Sequence, residues 1–477
     1  MKFEIKFATI SQAIDARSIF FGFFGKANHS FWLDSSLNDD DYARFSFMGD
    51  DRGPYAQHLR HKIRQSPGSS DHRDGQLTLF ERLGAELDSH SLSDDGQLPF
   101  DFRGGFVGYL GYELMAETED VGGYPSPLPD SHFIFSDRFV AIDHRDKLVY
   151  VVALAGEGDD GAAQQWVDKT AASIAELHQF PEPAVPMLAA ADEIEPYLLF
   201  DRQAYLDKIE QCKAKIIDGE SYEICLTNRV ILPLVGPDGR ALEQIYCALR
   251  KVNPAPYSCW IRSPDYAVMC SSPERFLKIS AAGEMEARPI KGTTRRFADP
   301  RADEEARALL KSAPAFFSEN LMIVDLLRND LARCAIPGSV SVPSLMEVES
   351  YATVHQLVST IRGEAARGSA ECLAACFPGG SMTGAPKRRT LEIINELEQT
   401  YRGIYSGAIG YLSLNKAVDL NIVIRTLVMT GQRCEIGVGG AITQLSDPVQ
   451  EYDEMLLKAL APFSAVRDSL EKRGGKE

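Results

Sequence analysis

The sequence predicts an α+β or mixed α/β protein, with more strand than a simple doubly wound sheet would need. Two stretches carry that expectation. The first 195 residues or so alternate short apolar runs with turn clusters, the pattern of strands with little helix. From Asp201 onward, amphipathic helical segments alternate with strands. A composition of 44% hydrophobic and 25% charged residues is that of an ordinary globular protein. A chain of 477 residues is long enough for two or three domains, or for one large core with a smaller partner.

In the opening 60 residues, Phe20-Phe21-Gly22-Phe23-Phe24 and Ser30-Phe31-Trp32-Leu33-Asp34-Ser35-Ser36 read as strands, because aromatic residues pack well on a pleated surface. The polar, glycine-containing stretch 67–76 is a loop, and 77–87 has helical spacing. Gly104, Gly105, Gly108 and Gly111 are too frequent for a helix and suit closely packed strands. Segments 133–143 and 148–155 form a strand pair turning at 143–146. Linker candidates are 156–161 and, more strongly, 181–196 with its four prolines, which puts a boundary near residue 195. The chain thus divides into subdomains 1–195 and 196–465 and a polar tail, 466–477. In the second subdomain, helices are expected at 201–219, 239–251, 303–312, 315–334, 370–377, 387–399 and 448–460. Strands are expected at 223–233, 257–262, 267–271, 353–362, 407–414, 419–430 and 433–440.

A net charge of −18 argues against a general nucleic-acid or anionic-membrane surface, although an anionic small substrate fits if positive groups or a metal are gathered locally. No run of about twenty apolar residues appears, so no membrane span is expected. The opening Met1-Lys2-Phe3-Glu4-Ile5-Lys6 alternates like a strand and lacks the apolar run of a signal peptide. Nine scattered cysteines, without CxxC pairs or histidines at zinc spacing, read as the reduced thiols of a cytoplasmic protein.

The stretch Arg288-Pro289-Ile290-Lys291-Gly292-Thr293 is the centre of the chemistry. Pro289 argues against a helix there, and Gly292 lets backbone approach a ligand closely. By itself Lys291 reads as a solvated lysine beside a turn. Glu274 sits where a strand meets the turn Ser271-Ser272-Pro273, placed to face the same cleft. Glu319 opens an apolar helix, where a carboxylate needs a partner such as a metal ion. Glu451, Glu454 and Lys458 fall at i, i+3 and i+7 on one helix face. They form either a solvated charged stripe or, with Glu319, a Mg²⁺ site and a lysine for the anion that the metal holds.

The glycine turn Phe377-Pro378-Gly379-Gly380-Ser381-Met382-Thr383-Gly384-Ala385-Pro386-Lys387 is not a P-loop, because Ala385 and Pro386 separate the lysine from its glycine. Its amides and the hydroxyls of Ser381 and Thr383 still suit a carboxylate, with Thr383 capping the next helix and Pro386 in the first turn. His355 alternates with apolar neighbours, the pattern of a satisfied core histidine. Arg425 stands inside a very apolar strand, where burial of a guanidinium demands an anion.

These residues lie in motifs that resemble the chorismate-utilising enzymes. From about residue 200 to 462 the motifs run in order: SPERF, RPIKGT, ENLMIVDLLRNDLAR, VHQLVS, FPGGSMTGAPKRRTLEIINELE, YRGIYSGAIGY, VIRT and DPVQEYDEMLLKA. The N-terminal segment resembles the companion region of the same proteins more weakly. Anthranilate synthases, which put nitrogen on ring carbon 2, typically carry alanine at the position of Lys291. Lysine there, with GGSMTGAPK, resembles the branch that puts nitrogen on carbon 4.

The resemblance implies a large β-sandwich-like core with helices packed outside and a site in a cleft between the sheets. It implies Mg²⁺ held by Glu319 and Glu454 with Glu451 beside them, and chorismate as substrate. Arg425, Lys458 and the amides near Gly439 and Gly440 would hold carboxylates, Ser381, Tyr411 and Thr293 would line the pocket, and His355 would sit near the ring carboxylate and departing hydroxyl. Lys291 would attack carbon 2 as a neutral amine, its pKa lowered by burial and the metal. Glu274 would protonate the hydroxyl leaving carbon 4. Ammonia would then expel the lysine, giving 4-amino-4-deoxychorismate for para-aminobenzoate and folate synthesis. A separate glutamine amidotransferase subunit would supply the ammonia, since no Cys-His-Glu amidotransferase pattern is present.

Other readings are a component I anthranilate synthase, an isochorismate or salicylate synthase, or a ligand-binding relative without activity. The last draws on two departures, Ala441 where relatives usually have glycine and Gln444-Leu445 before Asp447. Leu33-Asp34-Ser35 only loosely resembles the Leu-Glu-Ser motif that binds tryptophan in anthranilate synthases, and its shorter aspartate in a hairpin-like context assigns it a structural role.

Overall fold

The alternation of side chains along the central strands decides the architecture. In Ser30–Asp34, Trp32 enters one apolar core and Phe31 another. In Leu148–Ala155, Val149, Val151 and Ala153 join the first core, and Tyr150 and Val152 the second. A strand apolar on both faces needs cover on both. One face is covered by helices and the other by a second sheet.

The computed structural model describes the chain apart from residues 13, 38–42, 64–76, 95, 181–184, 234–238, 313, 351–353 and 475–477. The loop expected at 67–76 lies outside the described residues, as does most of the proline-rich linker's start. Among the described residues, a twelve-stranded sheet runs Gly384–Ala385, Glu223–Pro233, Arg433–Ile442, Thr426–Thr430, Tyr266–Ser272, Tyr257–Ser263, Ser30–Asp34, Phe45–Asp50, Arg138–Asp143, Leu148–Ala155, Lys2–Ile10, Ser91–Ser93. A ten-stranded sheet runs Ile290–Arg295, Val354–Glu364, Glu284–Arg288, Arg275–Ile279, Val418–Ile422, Ala408–Ser413, Gly105–Leu110, Ser131–Ser136, His58–His61, with Ser341–Ser350 also paired to Val354–Glu364. Phe31, Phe47 and Phe139 of the first sheet meet Val107 and Tyr411 of the second, so a core lies between the sheets. Helices Ala162–Ala175, Arg202–Ile217, Gly239–Val252, Lys387–Glu398 and Pro448–Gly474 cover the outer face of the first sheet. Helices Leu79–Asp88, Pro314–Ala332 and Ser369–Cys376 pack on the second. This is the β-sandwich with outer helices that the motifs implied.

Both sheets cross residue 195. Trp260 pairs with Trp32 in the first sheet, and Tyr411 pairs with Val107 in the second. The expected subdomains therefore share every layer of one body.

Four local expectations change. Phe20 to Phe23 lie in the helix Ala16–Phe23, whose first turn is capped by Asp15, and Phe20 and Phe21 pack edge-on against Trp260. Segment 133–143 is two strands, Ser131–Ser136 and Arg138–Asp143, in different sheets. Segment 419–430 likewise splits into Val418–Ile422 and Thr426–Thr430 where the chain crosses from one sheet to the other. Apolar runs of eleven or twelve residues read as single strands because periodicity does not register a change of sheet. The tail expected from 466 continues the helix Pro448–Gly474, which buries Val466.

One buried ion pair ties the layers together near the C-terminal end of Lys387–Glu398. Arg402 donates to both oxygens of Glu398, at 2.9 and 2.7 Å, and to the carbonyls of Met382 and Cys225, at 2.8 and 2.7 Å. Glu398 accepts in turn from the Thr227 amide and hydroxyl, both at 2.8 Å. Removing one partner of such a pair strands the other charge in the interior. Arg402→Ala is therefore expected to destabilise the fold by about 3–5 kcal/mol, read as a lower urea midpoint in equilibrium unfolding.

Candidate active site

Lys291 lies in Ile290–Arg295, the edge strand of the ten-stranded sheet. Its pairing with Val354–Glu364 slips between Ile290 and Thr293, and Gly292 has φ +93°. The slip is a bulge, a device that re-aims a side chain, and Gly292 supplies the left-handed backbone that it needs. The Lys291 amine is turned into a cluster of acids, donating to Glu319 Oε1 at 2.8 Å with Glu223 Oε1 3.7 Å away. Burial pushes this amine down, but Glu223, Glu319 and Glu274 outweigh it and raise its pKa. The three carboxylates thus oppose the lowering expected of burial and a metal. Thr293 follows the bulge on the exposed side of the strand, away from the cluster.

Glu274 is buried at the turn before Arg275–Ile279. Burial pushes its carboxyl up to about 7, against the pull of Lys291 and a hydrogen bond from Ser381. Ser381 comes from the short turn Gly380–Met382. Glu319 stands in the second turn of Pro314–Ala332 rather than at its head. Its neighbour Asn320 accepts from the Ser359 hydroxyl at 2.6 Å, fixing this helix against the strand that pairs with Lys291's own.

Glu223, at the start of Glu223–Pro233, is a member that the sequence did not single out. It is 1% exposed, neither of its oxygens has a hydrogen-bond partner, and burial raises its pKa along with the charges of Glu319 and Glu451. The available signal was an acid opening an otherwise apolar strand.

On the opposite side, Glu451, Glu454 and Lys458 share a face of Pro448–Gly474. Lys458 bonds Glu454 at 2.8 Å and the Gly439 carbonyl at 3.0 Å. A Cβ on Gly440 would stand 3.1 Å from Glu451 Oε2, so this glycine leaves space for the acid. Burial raises the Glu451 pKa, with Glu454 and Glu319 adding to it. The acids therefore feel one another, yet their oxygens are not drawn within 4.8 Å as a set, since Lys291 holds Glu319 and Lys458 holds Glu454. Mutually repelling carboxylates, half-buried at Glu319 and Glu451 and exposed at Glu454, beside a buried Glu223 whose oxygens accept no hydrogen bond, fit a divalent cation.

Arg425 sits in the crossing between the two sheets, with φ 52°, rather than inside a strand. Burial lowers its pKa against the pull of Tyr405 and Glu454, and among the described residues no carboxylate pairs with it. An unpaired, half-buried guanidinium beside the acidic cluster suits an anionic ligand.

Three expected members lie elsewhere. His355 places both ring nitrogens in hydrogen bonds, to Ser350 at 2.7 Å and Asp303 at 3.1 Å, and so ties a helix to a strand instead of meeting the cluster. Tyr411 packs on Phe102 and Phe47 and lines a cavity of about 420 Å³ between the sheets, together with Leu33, Asp34 and Ser35. Asp34 is engaged there by Arg250 and Tyr246, in keeping with a structural role. Thr383 does not cap a helix; it bonds back to Gly380, and Pro386 stands at the N-cap of Lys387–Glu398. Lys387 donates to Asp330 at 2.7 Å and to the carbonyls of Cys376 and Pro378, holding the glycine turn itself. Ala441 pairs with Cys225 in ordinary extended backbone, and Gln444 and Leu445 face solvent, so neither departure crowds the cluster.

A family model described as chorismate binding enzyme matches residues 37–464. The chain belongs to this family. It is 43% identical over 473 residues to an aminodeoxychorismate synthase of Streptomyces pristinaespiralis, covering 95% of this chain and 64% of that one. It is 37% identical to aminodeoxychorismate synthase component 1 of Salmonella typhimurium, with 76% of each chain covered. Several curated relatives are longer, and the chain spans 52% to 64% of those it matches over 95% of its own length. The solved structure of anthranilate synthase component I from Streptococcus pneumoniae superposes with a TM-score of 0.70 at 26% identity, covering 88% of this chain and 92% of that one. No described helix is long and apolar enough to cross a membrane.

The Ser381 hydroxyl holds the Glu274 pKa down. Ser381→Ala is therefore expected to move it above about 7, so that the carboxyl stays protonated to higher pH. Carboxyl infrared bands followed against pH in both proteins measure the shift, and an unchanged titration contradicts the contact.

Proposed function

We propose that this chain aminates chorismate at ring carbon 4, the reaction of an aminodeoxychorismate synthase, and that its product serves para-aminobenzoate and folate synthesis. The observation that carries the reading is Lys291, turned by a bulge into a buried acidic cluster with Glu274 beside it. Similarity over 95% of the chain to a protein of that name supports it.

Glu319, Glu451 and Glu454 would hold Mg²⁺, which when bound supplies positive charge for the ring carboxylate of the substrate. Arg425 and Lys458 orient the carboxylates of chorismate. Glu223, 3.7 Å from the lysine amine, would accept its proton once the carboxylate charge that holds that amine protonated is offset, leaving Nζ neutral. Nζ then bonds to carbon 2, the ring double bonds shift, and the C4–O bond breaks. Glu274, raised to about 7 and so partly protonated at neutral pH, donates the proton that releases the hydroxyl as water. Ammonia attacks carbon 4, the double bonds return, and the C2–N bond breaks with its electron pair going back to Nζ.

All nine cysteines are buried, which suits none of them as an accessible thiol nucleophile for glutamine hydrolysis. The ammonia therefore comes from a glutamine amidotransferase outside these residues. The name component 1 borne by the Salmonella relative fits a second component.

Lys291→Ala removes the nucleophile. With chorismate, Mg²⁺ and ammonium, the variant is expected to lose the 4-amino product by at least about a hundredfold and to form the 2-amino product, identified by chromatography and mass spectrometry. Rapidly quenched wild-type protein should show an adduct on Lys291; full 4-amino product from the alanine variant would sink the covalent route. Chelation is expected to abolish turnover and Mg²⁺ to restore it. Glu454→Gln should raise the Mg²⁺ concentration needed for half-maximal rate by about tenfold or more, and an unchanged requirement would remove Glu454 from the metal set.

A further inference from the structure

Away from the acidic cluster, His29, His58 and His132 meet at one end of the sandwich. One ring nitrogen of each lies within 4.8 Å of the others. His29 precedes the strand Ser30–Asp34 of the twelve-stranded sheet, whereas His58 and His132 lie on the neighbouring strands His58–His61 and Ser131–Ser136 of the ten-stranded sheet. His132 is buried, His29 half-buried and His58 exposed, so the cluster has a solid floor and an open side.

The outward nitrogen of each ring is held by an oxygen. Asp51 Oδ2 lies 2.8 Å from His29 Nδ1 and 3.3 Å from His58 Nε2, and the Tyr266 hydroxyl lies 2.6 Å from His132 Nδ1. A carboxylate oxygen only accepts, so both Asp51 contacts put the imidazole proton on the outer nitrogen. His29 Nε2 and His58 Nδ1 then carry lone pairs that face inward. With Nδ1–H of His132 donating to Tyr266, its Nε2 does the same, only 3.0 Å from His58 Nδ1. In these tautomers the facing nitrogens repel unless a proton or a cation lies between them. The Arg60 guanidinium meets part of that need, reaching His29 Nε2 at 3.2 Å and His132 Nε2 at 3.4 Å. It is tethered loosely: its side chain is 42% exposed and also reaches Ser263 and Asp265.

We propose that His29, His58 and His132 form a binding site for a zinc-class divalent cation, which displaces Arg60 and clips the two sheets together. Three inward imidazole nitrogens with the outer nitrogens fixed by a carboxylate and a hydroxyl are the donor set that such an ion takes, with water as the fourth ligand. Imidazole separates this site from the oxygen-only cluster around Glu319, which suits Mg²⁺.

Co²⁺ titrated into the full chain in excess Mg²⁺ tests the proposal. The expected result is one equivalent bound with the visible absorption of a tetrahedral nitrogen-ligated ion, displaced by Zn²⁺, together with a Zn²⁺-dependent rise in melting temperature. His58→Ala, the most exposed ligand, is expected to weaken binding by at least about tenfold with an unchanged circular dichroism spectrum. Arg60→Ala should tighten it, because the competing cation is gone. A folded parent chain without the absorption, absorption that survives in His58→Ala, or no gain in Arg60→Ala overturns the site.

Discussion

The buried pair of Arg402 and Glu398 is the contact on which the arrangement depends. Both side chains are 2% exposed, and removing either would strand the charge of the other in the interior. Their remaining hydrogen-bonding capacity goes to the backbone of Thr227 and Cys225 on one side and Met382 on the other. Those segments carry Glu223 and Ser381. A single ion pair thus sets the distance between the strand that presents the orphan acid and the turn that adjusts Glu274. Arg402 also lies over the Tyr112 ring, with its carbon 4.4 Å from the ring centre, joining the N-terminal half of the chain to the same contact.

The functional cluster built on that frame is an excess of negative charge around two lysines. Lys291 faces Glu223, Glu274 and Glu319, and Lys458 holds Glu454 beside Glu451. Like charges at such range raise one another's pKa, and burial adds to the effect. Glu223 and Glu451 are raised in this way, and Glu274 is pushed by burial to about 7, where it can give up or take a proton near neutrality. Arg425, with no carboxylate paired to it among the described residues, is the cation beside that cluster.

Much of this was legible in the chain. Glu451, Glu454 and Lys458 share a face because helical spacing dictates it, and Pro289 excluded a helix around Lys291. His355 and Tyr411 were misplaced for a common reason. Both stand in motifs next to site residues, but strand alternation and sheet crossing send adjacent side chains to different layers, one to Asp303 and the other to the inter-sheet cavity. Glu223 carried little local signal, since its role rests on neighbours that are far away in the sequence.

By itself the sequence determined most element types, the family and the identity of most acids and bases, because periodicity, turn chemistry and ordered motifs are local properties. Only the tertiary structure decided that the halves on either side of residue 195 interleave in both sheets. It alone gathered three carboxylates around Lys291, which raise the pKa of that buried amine. It also brought His29, His58 and His132 to one point, a convergence of two sheets that no spacing along the chain records.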